Sequence, residues 1–369
     1  MRHSQCILEV DLSKICANYK ILSNIANNTE VASVVKANSY GLGADKISKA
    51  LEKEGCANFF VASINEAINL RKYVNSTSNI FVLNGVFYND VAEFAEHNLV
   101  PVLNHLQQVE LWVDYTKKLA KKLPCALHLD TGMSRLGMSD SEITILVNKP
   151  EILENLRLEY IISHLSSAEE QNNPYNIEQL KRFKRYLQYF PGTKASLSNS
   201  SGILLGADYH FNLVRPGAGI YGINPNPAES NIMNNVVKLT APIIQLQILP
   251  INSHVGYNMS FTTNRDTIAA TLPIGYADGY SRIFSNRGVV FIAGHIAPII
   301  GRISMDLITI DVTDIPAQEI FLGQMVEIIN DYCTINKIAS IIGTSGYEIL
   351  ALLHGPRFKR IYKNDTKHS

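Results

Sequence analysis

The stretch VASVVKANSYGLGADKISKALEKEG, residues 31–55, decides the fold. It opens on a short apolar run and passes through a turn containing Gly41 and Gly43. It then places Ile47, Ala50 and Leu51 at the i, i+3, i+4 spacing of an amphipathic helix. The same unit recurs along the chain. Further apolar runs are FFVAS (59–63), IFVL (80–83), LVPVL (99–103), CALHL (125–129), LEYIIS (158–163), KASLS (194–198) and LVRPG (213–217). Helix-period segments such as DVAEFAEHN (90–98) separate most of them. Eight strands alternating with helices over roughly 200 residues predict an α/β fold of the (β/α)8 TIM-barrel type rather than an open doubly wound sheet. The charge run KKLAKK (117–122) reads as a solvated helix face.

The texture changes near residue 230. NPNPAESN (224–231) is polar and Pro/Asn-rich, as linkers are. Beyond it KLTAPIIQLQILPI, DTIAATLPIG, RGVVFIAGHIAPIIG and DLITIDV are β-branched runs broken by Gly, Pro and Asn. A β-rich C-terminal domain is expected over 231–369, with one late helix near 334–342, after a barrel domain over 1–230. The early run ILEVDL (7–12) either precedes the barrel or pairs with the β domain.

Composition narrows the function. Of 369 residues 46% are hydrophobic, and 33 basic residues balance 33 acidic ones. A net charge of zero gives no electrostatic case for nucleic acid or an anionic membrane as partner. The five cysteines show no CxxC or zinc-like spacing, so free thiols and no metal are expected. No apolar run approaches the ~20 residues of a membrane span. Glu9 and Asp11 interrupt the N-terminus where a secretory signal would be apolar. A cytoplasmic small-molecule enzyme fits these bounds.

Active sites of such barrels form at the C-terminal ends of the strands, with phosphate often held after strands 7 and 8. Reactive side chains fall repeatedly on that rim: Lys36 after strand 1, Arg135 in the loop after strand 5, and His164 at the end of strand 6. Asn199 and Ser200 follow strand 7, and Arg215 and Gly217 end strand 8. Taken alone, Lys36 is an ordinary solvated loop residue and His164 an ordinary core histidine. At the mouth of an apolar strand, however, a lysine is partly desolvated, which lowers its pKa and suits it to Schiff-base chemistry. SNSSG (198–202) and VRPGAG (214–219) offer backbone N–H groups in the manner of a phosphate cradle. A buried Arg215 needs an acceptor. In the β domain, GYNMSF (256–261), LPIGYADGYSR (272–282) and GRISMD (301–306) read either as hairpin turns or as a cap over the barrel mouth.

Together VVKANSYGLG, HLDTGMSRLGM, SNSSG, VRPGAGIYG, LPIGYADGYSR and GRISMD resemble, in order, the signature segments of the alanine racemases, over residues 7 to about 349. The resemblance implies pyridoxal 5'-phosphate held as a Schiff base on Lys36, which also serves as base on one face of the substrate. It implies Tyr257 as base on the other face, given by the partner subunit of a homodimer. Inversion through a planar carbanion requires removal of a proton from one face and its delivery to the other. A tyrosine, with an ordinary pKa near ~10, needs cationic neighbours for this work. His164 and Arg215 match them, Arg215 also bonding the pyridine nitrogen. Arg135 matches the holder of the substrate carboxylate and the cofactor phenolate oxygen. Tyr40, Ser200, Gly217 and Ala218 match phosphate contacts, and Asn199 belongs to the same cofactor set. Tyr276 and Met305 match substrate contacts made across the dimer, with Asp306 in the same loop. The implied role is supply of D-alanine for peptidoglycan.

Two positions depart from the pattern. His128 stands where many members carry a lysine, often carbamylated, so Arg135 must be oriented otherwise, by His128 itself or by a bound anion. ALLHGPRFKR (351–360) lacks the phosphate-binding tyrosine many members have there. The competing readings are a racemase of the same fold acting on serine, lysine or a broad range of amino acids, and a pyridoxal-phosphate-binding protein without turnover. The latter class typically lacks a β domain bearing a tyrosine. An amino-acid decarboxylase of this barrel type would carry cysteine and aspartate motifs not found here.

Overall fold

The computed structural model describes residues 6–353 and 358–364. Their contacts divide into two compact units, residues 15–234 and residues 6–14 with 235–364. The sequence reading put the change at 230/231; the units divide four residues later, and the leading strand belongs with the second.

In chain order the strands are β1 (Cys6–Asp11), β2 (Glu30–Val31), β3 (Ser33–Val34), β4 (Asn58–Val61), β5 (Asn79–Val82), β6 (Val100–Leu103), β7 (Pro124–His128), β8 (Arg157–Ile162), β9 (Lys194–Ser196) and β10 (Leu213–Val214). Strands β3 to β9 form one parallel sheet in sequence order. β10 closes it. On one side Asn212 N donates to Ala195 O and Arg215 N to Ser198 O; on the other Ala32 N donates to Val214 O and Val34 N to Pro216 O. The run VASVV is thus a single barrel stave, interrupted at Ala32, with β10 on one side and β4 on the other. Ala32, Phe60, Phe81, Val100, Val102, Ala126, Tyr160, Ile162 and Leu213 pack together, filling the barrel with side chains as this architecture requires.

The helices between strands follow their sequence signals. ADKISKALEK forms Ala44–Lys53, burying Ile47, Ser48 and Leu51. Ser63 and Glu66 make a reciprocal capping box that starts the helix Ile64–Arg71. The run 117–122 is exposed throughout, and its first two lysines sit in the last turn of Leu106–Lys118, where cations suit the helix dipole.

The second unit is built on two sheets. β11 (Val237–Pro242), β12 (Gln245–Leu249), β13 (His254–Val255), β14 (Phe261–Thr262), β15 (Thr267–Leu272), β16 (Val289–Ile292), β17 (His295–Pro298), β18 (Ile308–Asp311), β19 (Met325–Ile329) and β20 (Phe358–Lys363) complete the strands. One sheet runs β17-β16-β19-β11-β1-β20 and the other β12-β15-β18, with β13 and β14 as a small hairpin. β1 lies antiparallel to β11 and parallel to β20, Leu8 facing Leu239 and Arg360. The late helix spans Ile335–Ile342, and a second, Gly346–Leu352, follows it. Among the described residues no helix is long and apolar enough to cross a membrane, and no disulfide forms.

Candidate active site

The barrel rim gathers five nitrogen-bearing side chains. Lys36 is half-buried, and its amine is pushed below its ordinary pKa first by burial and then by the charge of Arg135, with Glu66 opposing. His164 is held well below 6.5 by burial, then by Arg215, Arg135, His128 and Lys36. His128 is driven down to about 3 by burial and Arg215, with Asp130 opposing. Both imidazoles are therefore neutral near pH 7, and the charge of the cluster rests on Arg135, Arg215 and Lys36. An electropositive rim of this kind suits an anionic ligand.

Arg215 is buried, with its own pKa lowered to about 10 by desolvation. The acceptors it finds are neutral: Nη1 donates to Ser196 Oγ at 2.5 Å and Nη2 to Ser163 O at 2.5 Å. Its guanidinium lies 5.9 Å from the Phe60 ring centroid. A buried cation that has no carboxylate partner among the described residues keeps its charge available to a ligand.

Arg135 is exposed, on a loop fixed at its base. Asp130 Oδ1 accepts from Gly132 N at 2.8 Å, Met133 N at 2.9 Å and Ser134 N at 3.2 Å. Met138 N returns to His128 O at 2.8 Å. Gln179, fully buried, donates to Thr131 Oγ1 and His164 O and accepts from Ser166 N, joining the loops after β7 and β8.

Asn199 caps the short helix Ser200–Ile203, accepting from Gly202 N at 2.8 Å. Ser200 Oγ accepts from Gly217 N and Gly219 N, each at 3.0 Å. A Cβ at Gly217 would lie 2.7 Å from Tyr40 Oη, so only glycine allows the tyrosine to reach this cradle. Tyr40 packs on Tyr221 at 4.7 Å between centroids, and Ala218 opens the next turn. Tyr40, Ser200, Gly217 and the adjoining Ala218 are thus brought together.

Lys36 is followed by an unusual turn. Ala37, Asn38, Ser39 and Tyr40 all have φ between 51° and 55°. Each costs on the order of 1–2 kcal/mol relative to right-handed backbone, less for asparagine. Gly41 (φ 83°) and Gly43 (φ 104°) do take the positive φ expected of them, and the structure extends the left-handed stretch to the four residues before them, which carry side chains.

In the second unit the three Gly- and Tyr-rich loops form one cluster. Tyr276 N donates to Ser304 O and Ala277 N to Met305 O, and a Cβ at Gly275 would collide with the Met305 carbonyl. Asn286 donates to Ser260 O at 3.0 Å and accepts from Gly301 N at 2.6 Å. Tyr257, Tyr276 and Met305 stay 67%, 44% and 53% exposed, a large apolar area for one loop cluster. Residues 354–357, within the stretch lacking the expected tyrosine, lie outside the described residues.

Sequence reasoning did not single out Asn104, Ser163, Gln179 or Ser196, which hold His128, Arg215 and His164. Asn104 and Ser163 end apolar runs on the rim and carried a usable signal; Gln179 and Ser196 carried none.

Lys36 beside a cationic rim, and a backbone cradle that a Cβ would fill, suit a phosphorylated aldehyde with an anionic oxygen. Comparison with known proteins agrees with that chemistry. The family model described as alanine racemase, N-terminal domain, matches residues 10–225, and the one described as alanine racemase, C-terminal domain, matches residues 236–362. An alanine racemase of Rickettsia akari is 58% identical over 359 residues, covering 97% of this chain and 99% of that protein. A crystal structure of alanine racemase from Bartonella henselae with covalently bound pyridoxal phosphate is 40% identical, with a TM-score of 0.94, over 98% of this chain and 100% of that one. The biosynthetic alanine racemase of Pseudomonas aeruginosa is 30% identical with a TM-score of 0.88, over 98% and 100%.

Proposed function

The chain belongs to the alanine racemase family, and from that premise we propose how its residues share the interconversion of L- and D-alanine. It is a pyridoxal-phosphate-dependent isomerase. The observation that carries the assignment of roles is the meeting of a desolvated Lys36 with Arg135, Arg215 and a glycine-lined cradle on one barrel rim.

The unit 15–234 is the cofactor-binding domain. Ser200, Gly217, Ala218 and Tyr40 would hold the phosphate, Asn199 shaping the turn and Arg215 bonding the pyridine nitrogen. When bound, pyridoxal phosphate supplies an electron sink that makes the substrate α-hydrogen removable. Arg135 holds the substrate carboxylate as a planar donor. Lys36, its amine deprotonated more readily than an exposed lysine, exchanges a proton on one face. Tyr257 exchanges it on the other. Tyr257, Tyr276 and Met305 belong to a second copy of the chain, so that a homodimer shares its sites; their joint exposure supports this. His164 donates no charge of its own near pH 7, so Arg215 is the cation that serves the tyrosine's proton transfer. His128, neutral, offers a ring nitrogen to the guanidinium groups that reach it. We place the enzyme in the cytoplasm, its D-alanine destined for peptidoglycan.

The test is deuterium exchange at the α-carbon across an amino-acid panel, with borohydride reduction to map the modified lysine. Racemisation of alanine with label on Lys36 supports the reading. Label on another lysine overturns the assignment, and action on serine or lysine without alanine moves the substrate to that amino acid.

A further inference from the structure

Among the described residues Glu66 is the one carboxylate that reaches the backbone beside Lys36, and none of the roles above uses it. Its Oε1 accepts from Ala37 N at 2.7 Å. Its Oε2 accepts from Ala62 N at 2.7 Å and from Ser63 N at 3.3 Å. The first contact spans 29 residues. One side chain thus joins the residue after Lys36, at the end of β3, to the end of β4 and to the start of the helix Ile64–Arg71.

The junction it makes is where the backbone is least content. Ala37 to Tyr40 are held left-handed, and Ala37, Ser39 and Tyr40 have side chains that disfavour this conformation. Gly41 N donates to Ala37 O at 2.8 Å, Gly43 N to Asn38 O at 2.9 Å and Ala44 N to Asn38 Oδ1 at 2.8 Å, which stabilise the far side of the turn. On the near side, Ala37 N points to Glu66. Strained backbone persists where its surroundings over-determine it, and such sites cluster where geometry serves function.

We propose that Glu66 is the positioning residue of Lys36, its carboxylate clamping the left-handed turn so that the lysine amine leaves the barrel rim in one direction. The proposal rests on Lys36 as the cofactor anchor. The carboxylate also sits close enough to oppose the downward shift of the lysine amine. Glu66 itself need not touch substrate or cofactor for this role.

Two variants separate clamp from cap. Glu66→Gln keeps the shape but turns one acceptor oxygen into a donor that faces a backbone N–H. Ser63→Ala weakens the start of the same helix, since Ser63 Oγ accepts from Glu66 N at 3.4 Å, and does not touch Ala37. Purified holoenzyme of each is compared with the native protein in three measurements: the rate at which borohydride traps the cofactor on Lys36, kcat and KM for alanine, and the thermal midpoint. Misplacement of a reacting group by about 1 Å costs on the order of a hundredfold, so Glu66→Gln is expected to lower the trapping rate and kcat roughly ten- to hundredfold with KM nearly unchanged. Ser63→Ala is expected to lower the thermal midpoint while leaving trapping and kcat native. Glu66→Asp, one methylene shorter, serves where Glu66→Gln fails to accumulate, with the same loss expected. Native trapping and kcat in the Glu66 variants overturn the proposal, and so does an equal loss in Ser63→Ala. Failure of the native enzyme to trap cofactor on Lys36 instead overturns the reading beneath it.

Discussion

Asn104 Oδ1 lies 2.8 Å from His128 Nδ1, and this contact determines which ring nitrogen carries the hydrogen. Asn104 Nδ2 is committed to Leu83 O and Val102 O, each at 2.9 Å, so its oxygen faces the ring. An acceptor there requires Nδ1–H. The imidazole is neutral, so Nε2 is left as an acceptor. Arg215 and Arg135 are the cations whose charge reaches the ring. Replacing His128 by alanine is expected to lower kcat/KM for alanine about tenfold, the worth of a hydrogen bond to a charged group. Steady-state racemisation measures it, and full activity in the variant would remove His128 from any role in orienting Arg135.

His128 and His164 together set an acid limit on stability. A base whose folded pKa lies below its unfolded value binds more protons unfolded, so stability rises with pH between the two values. For His128 the window runs from about 3 to the ordinary 6.5, and for His164 it also opens downward from 6.5. Each contributes a slope of up to about 1.4 kcal/mol per pH unit. Stability against urea is expected to fall as pH drops below 6.5. A His128→Asn variant should show a shallower decline over the same range; an identical decline would place the titration elsewhere.

Ser196 Oγ accepts from Arg215 Nη1 and donates to Leu213 O, each at 2.5 Å. Removing it leaves a guanidinium N–H without its acceptor inside the barrel. Ser196→Ala is expected to cost about 1–3 kcal/mol of stability and to lower kcat more than KM, because a freed Arg215 no longer points one way. Urea melts and steady-state kinetics on the same preparation check both halves.

Gly217 and Tyr40 meet too closely for any larger residue. Gly217→Ala would put a methyl 2.7 Å from Tyr40 Oη and 3.2 Å from Val34 Cβ. Such overpacking costs about 1–3 kcal/mol, which appears as a roughly ten- to hundredfold weaker hold on pyridoxal phosphate. Equilibrium dialysis of the cofactor measures it. Unchanged affinity would move the phosphate away from this cradle.

The barrel staves were legible because each is an apolar run bounded by turn residues, and the rim rule then located Lys36, Arg135, His164 and Arg215 without any contact information. Closure by β10 was less visible, since LVRPG contributes only Leu213 and Val214 to a ladder. The left-handed turn at Ala37–Tyr40 was not legible at all. Local preference argues against it, and the acceptor that holds it, Glu66, belongs to the next helix. Asn104, Gln179 and Ser196 were missed for a related reason: a partner's importance lies in what it faces, and pairings across 15 to 48 residues leave no periodicity. The helix Gly346–Leu352 escaped because it is short and begins on glycine.

The division of labour proposed for Lys36 and Tyr257 yields a test that needs no structure of the assembly. On that proposal Lys36→Ala removes the base of one face, and Tyr257→Phe the base of the other. Each variant alone is expected to racemise alanine poorly, Tyr257→Phe losing more in the L-to-D direction. In deuterium oxide, Tyr257→Phe should still exchange the α-hydrogen of D-alanine at Lys36 without inverting it. If each site takes Lys36 from one copy and Tyr257 from another, a mixed dimer contains one site with both bases and one with neither. Random reassortment makes half the dimers mixed, so mixing the two variants should restore roughly a quarter of native activity. Chemical crosslinking before mixing should abolish the recovery. If each copy instead supplied both bases to its own site, every site in the mixture would lack one, and no activity would return.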